Sequence, residues 1–182
     1  MLHFLKGQEE ESIRILAIDP GSTKSAYVIM DSETYMPCEM DKTDNHDLLE
    51  RVAWWQKKAE KGCPAFELAV IENIVGSYGA SIGKTTFDTA IMIGRLIQAL
   101  TAFVPVEKIP RQTIRAHICP KVKANDKTIR DALIARFALH DMERGKGTKD
   151  NRDFFYGFSN DIWSAYAVGV TLLDKAKGSE QK

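Results

Sequence analysis

Hydrophobic positions at the start of the chain follow the alternation and run lengths of β-strands. Residues 13–18, with the sequence IRILAI, form a short apolar run that an Asp-Pro-Gly turn at residues 19–21 ends at once. Residues 25–30 form a second run, close enough to return as an antiparallel partner. Residues 35–40 predict a third, weaker strand. The pattern therefore predicts a β-hairpin extended by one more strand.

The rest of the chain alternates helical patterns with two further strands. Apolar residues three or four positions apart predict helices over residues 45–61, 86–103, 112–117, 126–139 and 161–177. Short apolar runs predict strands at residues 68–72 and 104–109. Strands separated by helices favour parallel pairing, with helices packed on the faces of the sheet. We therefore expect an α/β fold with a mixed central β-sheet flanked by α-helices.

Length and composition predict one compact domain. The chain has 182 residues, of which 44% are hydrophobic, enough for a sizeable core. We expect this domain to span residues 13–177, after a flexible extension at residues 1–12 and before a disordered tail at residues 178–182. Residues 143–157 are polar and rich in Gly and Lys, and predict a mobile loop.

Targeting and redox features predict a cytoplasmic protein. No apolar run approaches the length of a membrane span, and the acidic residues 9–11 do not fit a secretory signal. Cys38, Cys63 and Cys119 lie far apart and form no CxxC pair, so we expect buried free thiols rather than disulfides or a zinc site.

Charge is distributed unevenly although the formal net charge is zero. Residues 108–152 contain 12 Lys or Arg against 5 Asp or Glu, and the flanking segments are acidic. Such a basic block is typical of contact with phosphate. A solvated helical face would give the same pattern, so charge alone leaves both interpretations open.

Three acidic residues stand at the ends of predicted elements. Asp19 and Glu72 each close a strand, and Asp161 begins the last helix. Each has an ordinary structural interpretation, respectively as a turn residue, a strand-end charge and a helix cap. Together they predict a carboxylate cluster, which is stable only if a cation binds or some members are protonated. Oxygen ligands without His or Cys favour Mg²⁺ or Mn²⁺, and two such ions would support phosphodiester hydrolysis.

Several segments resemble the RuvC-type Holliday junction resolvases, in particular those carried by phages. The similarity lies in residues 15–26 (ILAIDPGSTKSA), 68–72 (LAVIE), 77–83, 124–130 and 156–167, in the family's order. The resemblance implies an RNase H-like fold and a crossover junction endodeoxyribonuclease. It also implies a homodimer that nicks a four-way DNA junction symmetrically, with residues 86–103 as the interface, in a phage or prophage of a bacterial host.

One position departs from the family pattern. Many RuvC-like enzymes have two acids three residues apart at the start of the last helix, which would be Asp161 and position 164, but position 164 is Ser. The candidates to replace the missing ligand are water, a substrate phosphate, or another acid such as Asp126 or Asp153. A shift in register would instead place Phe158 in the first position.

The resemblance also implies a set of DNA contacts. Tyr78, in a Gly-rich loop, would stack on bases, and Lys146 and Lys149 would close over the scissile phosphate as catalytic residues. Alternatively, Tyr78 packs against the next helix, and Lys146 and Lys149 are ordinary loop lysines. The basic residues expected on phosphates are Lys84, Arg95, Arg111, Lys121, Lys123, Lys127, Arg130 and Arg152.

Other functions explain less of the sequence. Gly83-Lys84-Thr85 lacks the first glycine of a P-loop because position 78 is Tyr, so no nucleotide cofactor is expected. Two interpretations stay open beside the resolvase. One is a catalytically weak or inactive protein that binds branched DNA, and the other is a general RNase H-like nuclease acting on branched or RNA:DNA duplexes.

Overall fold

A computed structural model describes residues 12–75, 83–120 and 124–180. Strands β1 (Arg14–Asp19), β2 (Lys24–Asp31) and β3 (Pro37–Asp44) are followed by helix α1 (Asn45–Glu60), strand β4 (Leu68–Asn73), helix α2 (Lys84–Leu100) and strand β5 (Val106–Pro110). Helices α3 (Arg111–Ile118), α4 (Asp126–Phe137) and α5 (Asn160–Glu180) complete the chain. The predicted order of elements is confirmed, with ends that differ by a few residues.

The five strands form one mixed sheet in the order β3-β2-β1-β4-β5. β1 pairs antiparallel with β2, as the short connection at residues 20–23 requires. β1 pairs parallel with β4, and β4 with β5, across helical crossovers. The predicted mixed sheet flanked by helices is therefore confirmed, and β1 lies at its centre.

Alternation along the strands divides the core between two faces of the sheet. On β1, Ile15 and Ala17 face the core under α5, whereas Leu16 and Ile18 face the core under α1 and α2. All four residues are fully buried. The central strands are thus covered on both faces, which explains their nearly continuous apolar sequence.

Helix α5 packs closely on the sheet at Gly169. A β-carbon at this position would meet the Met30 sulfur and would lie 3.1 Å from the Ala17 β-carbon. A side chain there would displace the Met30 side chain and press against Ala17. Gly169 therefore fixes how closely α5 approaches β1 and β2.

The segment between α4 and α5 is ordered by internal contacts, which corrects the prediction of a mobile loop at residues 143–157. The buried Asp153 carboxylate accepts hydrogen bonds from the backbone amides of Leu139, His140, Asp141 and Phe154. Burial opposes ionisation, but these donors lower the pKa of Asp153 well below its usual range. Phe155 and Phe158 are buried in an aromatic cluster. These buried contacts were not predicted because the segment is rich in Gly and Lys, which is typical of a loop.

Two further expectations need correction or restatement. Only Cys119 is buried, because Cys38 lies on the outer strand β3 and Cys63 in the turn after α1, where both thiols are exposed. Helix α5 continues to Glu180, beyond its predicted end at residue 177. None of the helices in the described ranges has both the length and the apolar character needed to cross a membrane.

Candidate active site

Strand register brings Asp19 and Glu72 to the same edge of the sheet. Ile18 pairs with Ile71 in the parallel ladder, so the next residues of β1 and β4 are Asp19 and Glu72. Alternation places both acids on the α5 face, since Ala17 and Val70, two positions earlier, belong to the core under α5. Adjacent strands are about 4.8 Å apart. The two carboxylates are therefore neighbours that face α5.

Helix α5 contributes Asp161 and Ser164 from its first turns. Burial, followed by the negative charge of Glu72, raises the pKa of Asp19 to about 7. Arg111 opposes this rise, Asp161 adds to it, and a side-chain hydrogen bond with Ser164 opposes it. The structure thus brings the three predicted acids into one electrostatically coupled cluster, with Ser164 beside Asp19.

Arg111 links two acids at the edge of this cluster. β5 ends at Pro110 opposite Asn73, so α3 begins beside the end of β4. The Arg111 Nη1 donates to both Glu72 carboxylate oxygens at 3.0 and 3.2 Å. Its Nη2 donates to Asp126 at 2.7 Å. Asp126 is in turn fixed at the start of α4, where Asn125 and Thr128 form a capping box.

Asp161 also has a basic partner. Lys42, which projects from β3, forms a salt bridge with the Asp161 carboxylate. Both side chains are 42% exposed, so water screens this pair more than it screens Arg111 and Glu72. Two of the three acids therefore already contact cationic side chains of the protein.

A cleft of about 280 Å³ opens beside the acids. Its charged and polar walls are Glu72, Arg111, Asp126, Lys127, Arg130, Asp161 and Ser164. Ile114, Ile129, Trp163 and Ala167 form an apolar floor. An opening with carboxylates on one side and three basic residues nearby suits a negatively charged ligand held next to a cation.

The donor chemistry of the cluster fits hard divalent cations, because Asp19, Glu72, Asp161 and Ser164 offer only oxygen atoms. Within the described ranges, however, no three Asp, Glu, His or Cys side chains stand together closely enough to coordinate one ion as they are. Glu72 is held by Arg111 and Asp161 by Lys42. Small side-chain movements away from these basic partners would be required for an ion to reach both acids.

Of the remaining residues predicted to contact DNA, Lys127 and Arg130 line the cleft, and the others lie elsewhere or outside the described ranges. Lys84 and Arg95 are exposed on α2, Lys149 and Arg152 are exposed before α5, and Lys146 is partly buried there. None of these five lines the cleft. The Arg152 guanidinium lies 4.5 Å from the centre of the Tyr156 ring. Residues that lie outside the described ranges are Tyr78, Lys121 and Lys123.

The structure decides between the substitutes for the missing fourth acid. Asp153 is buried and committed to backbone amides, so it is not available as a ligand. Phe158 is buried among aromatic rings, which excludes the shifted register. Asp126 lines the cleft, but it contacts Arg111. Asp161 and Ser164 are the residues of α5 that lie near Asp19.

Two residues near the acids were missed in the sequence. Lys42 lies far from Asp161 along the chain, and no motif connects them. Arg115 lies one helical turn after Arg111, with its Nη2 3.9 Å from Asp126 and a buried Nε atom without a hydrogen-bond partner. Its position in the 108–152 basic block was the only available signal.

The fold defines the class of protein. Three antiparallel strands followed by two parallel ones, in the order β3-β2-β1-β4-β5 with helices on both faces, form an RNase H-like fold. No protein-family model matches the sequence, and no curated protein matches it either. The fold class therefore comes from three-dimensional similarity.

Among solved structures, the chain is similar to RuvC and other Holliday junction resolvases. RuvC from Thermus thermophilus in complex with a Holliday junction substrate has a TM-score of 0.60 at 11% identity, over 92% of this chain and 98% of that chain. A second T. thermophilus RuvC structure has a TM-score of 0.59 at 11% identity, over 91% and 97%. The fowlpox virus resolvase in complex with Holliday junction DNA has a TM-score of 0.50 at 13% identity, over 90% and 98%. The resemblance seen in the sequence is confirmed at the level of the fold.

Proposed function

We propose that the protein is a structure-specific DNA endonuclease that resolves four-way junctions by metal-dependent hydrolysis. The observation that carries this proposal is the cluster of Asp19, Glu72 and Asp161 on one face of an RNase H-like sheet. The RuvC-like fold covers nearly the whole chain, which supports a nuclease.

Asp19, Glu72 and Asp161 are the proposed ligands of Mg²⁺ or Mn²⁺, with two ions in each active site. Such ions supply activation of the attacking water and stabilisation of the leaving 3′ oxygen. Asp19 is the best-fixed ligand because it is largely buried at the end of the central strand. Ser164 is proposed to orient Asp19 through the hydrogen bond between their side chains.

The basic residues of the cleft are proposed to hold the DNA backbone. Lys127 and Arg130 lie on α4, on the wall opposite α5, and attract phosphates without reading the base sequence. Lys84, Arg95, Arg152, Lys121 and Lys123 are proposed as further phosphate contacts, and Tyr78 is proposed to stack on bases. Lys146 and Lys149 are proposed to approach the scissile phosphate only when DNA is bound, because neither lines the cleft.

We also propose a homodimer formed through α2. Phe87 and Ile91, one helical turn apart, are 57% and 62% exposed on its outer face. A β-carbon added at Gly94, on the same face, would meet nothing within 4 Å, so a second helix can approach closely there. A two-fold axis through this face suits paired cuts in a symmetric junction. Ile91→Asp should give a monomer in sedimentation analysis, and an unchanged mass would exclude this interface.

A non-cleaving, junction-binding protein is the second candidate. The salt bridges from Arg111 to Glu72 and from Lys42 to Asp161, together with Ser164 in place of an acid, favour it. This alternative predicts tight junction binding that does not depend on Mg²⁺, without nicking.

One experiment separates the candidate functions. The protein is incubated with Mg²⁺ or Mn²⁺ and, separately, with a labelled four-way junction, a flap, a plain duplex and an RNA:DNA hybrid. Paired nicks confined to the junction are expected. Binding without cleavage would favour the second candidate, and cleavage of all branched or hybrid substrates would indicate a general nuclease.

A further inference from the structure

Arg111 occupies the position from which a cation would approach Glu72. A single nitrogen, Nη1, contacts both Glu72 carboxylate oxygens, and the Glu72 side chain is only 14% exposed. The guanidinium is also close enough to Asp19 to affect its ionisation. A divalent ion bound by Glu72 in this arrangement would lie a few ångströms from a fixed positive charge, which repels it.

Asp126 gives Arg111 a second partner that is independent of Glu72. Nη2 donates to Asp126 at 2.7 Å, and Asp126 stands at the fixed start of α4. If Glu72 turned away, this contact would keep the guanidinium at the mouth of the cleft, beside Lys127 and Arg130. The free nitrogen would then face the space that a DNA phosphate occupies in the proposed function. Arginine suits such an exchange because its planar fork binds carboxylate and phosphate in the same manner.

We infer that Arg111 is a positioning residue that blocks divalent cations from Glu72 until a DNA phosphate replaces Glu72 as its partner. The inference rests on the proposed function and adds regulation to the same site. Metal binding and DNA binding are then coupled, each favouring the other, because both require that Arg111 release Glu72. Without DNA, the protein holds divalent ions weakly.

The first test measures Mn²⁺ binding by calorimetry without DNA. Arg111→Gln should bind Mn²⁺ about tenfold more tightly than the unmodified protein, since a repulsive charge near the ion is gone. Arg111→Lys keeps the charge and should change the affinity little. Arg51→Gln is the matched control, because Arg51 forms a comparable salt bridge with Glu39 on the opposite side of the sheet. Thermal unfolding of each variant verifies that it is folded.

The second test measures the coupling itself. The dissociation constant for a four-way junction is determined in EDTA and in Ca²⁺ for the unmodified protein and for Arg111→Gln. Ca²⁺ should tighten junction binding several-fold in the unmodified protein, and this ratio should fall towards one in the variant. Arg51→Gln should keep the ratio of the unmodified protein.

The outcomes distinguish this inference from the proposed function. Equal Mn²⁺ affinity in Arg111→Gln and the unmodified protein, or equal coupling ratios, would overturn the role of Arg111 while leaving the metal site intact. Loss of Mn²⁺ binding in Glu72→Gln would then still support the site. Absence of Mn²⁺ binding in both the unmodified protein and Arg111→Gln would overturn the inference and the metal-dependent function together.

Discussion

Helix α5 carries acidic residues into two environments that differ in almost every respect. Near its C-terminal end, Asp174 accepts two hydrogen bonds from Arg136 at 2.6 and 2.7 Å, one from Tyr35 at 2.8 Å, and contacts His117 at 2.9 Å. At its start, Asp161 belongs to a cluster in which Asp19 has Glu72 as its strongest charged neighbour. Asp174 is thus contacted by several hydrogen-bond donors, whereas the acids of the Asp19 cluster lie close to one another.

The two environments shift the pKa values of their carboxyl groups in opposite directions. Burial disfavours the charged form of Asp174, but its donors outweigh burial and lower its pKa to about 2. Burial and neighbouring carboxylates raise the pKa of Asp19 to about 7. The donors of the Asp174 network compensate its charge, whereas the carboxylates of the Asp19 cluster repel one another and are compensated only in part by Arg111 and Lys42. This is the difference expected between a structural carboxylate and the proposed metal ligand Asp19.

The largest effect is expected from substitutions in the Asp19 cluster. Asp19→Asn, Glu72→Gln and Asp161→Asn should each reduce junction nicking by about 10³-fold or more, because each removes a proposed metal ligand. Gel-based cleavage rates with Mg²⁺ measure the effect. Junction affinity in EDTA should stay within a few-fold and serves as the control. Normal turnover in all three variants would end the metal-site hypothesis.

The substitution Asp174→Asn tests the contribution of the Asp174 network to stability. The unfolding free energy at pH 7 should fall by about 2–4 kcal/mol, since Arg136 loses its carboxylate and Tyr35 and His117 lose their shared partner. Because the pKa of Asp174 is lowered to about 2, this stabilisation is present above about pH 4 and is lost as the pH falls towards 2. Denaturant titrations at several pH values measure it. The exposed Asp150, changed to Asn, is the control, and an equal loss there would contradict the assignment.

A pH titration sharpens the comparison. The raised pKa of Asp19 means that the native state holds a proton there which the unfolded chain has released above about pH 4. Without divalent ions, stability should therefore fall by about 1–3 kcal/mol as the pH rises from about 4 to 8. The Asp19→Asn variant should lack this component of the slope. Identical slopes in the two proteins would show that the pKa of Asp19 is not raised in the folded state.

The smallest expected effect comes from restoring a fourth acid. Ser164→Asp adds a carboxylate beside Asp19, so the metal-free protein should lose about 1 kcal/mol of stability through like-charge repulsion. The same change should raise Mg²⁺ affinity about tenfold, because another hard ligand becomes available. Ser164→Asn, similar in size but neutral, is the control. Equal Mg²⁺ affinity in both variants would show that position 164 lies outside the coordination shell.

The sequence was sufficient for the sheet and for its principal acids. The β-hairpin, the strand at residues 68–72 and the helices on the faces of the sheet follow from alternation and run length. That Asp19 and Glu72 share a face was expected only if their strands were neighbours, and the pairing of β1 with β4 comes from the structure. The salt bridge from Lys42 to Asp161 could not be predicted, because it depends on how far α5 overlaps β3. Nor could Asp153 be recognised as an anchor, since its partners are backbone amides, which leave no pattern in the side chains.

Gly169 affects the spacing between α5 and the sheet, which the acids themselves do not determine. It lies eight residues beyond Asp161, about 12 Å along the helix axis, and out of reach of any ligand in the cleft. Because a larger residue there would lift α5 from Ala17 and Met30, it would also carry Asp161 away from Asp19 and Glu72. The separation of Asp161 from the two strand-end acids thus depends partly on a residue with no side chain, and a search for tuning positions confined to charged residues would overlook it.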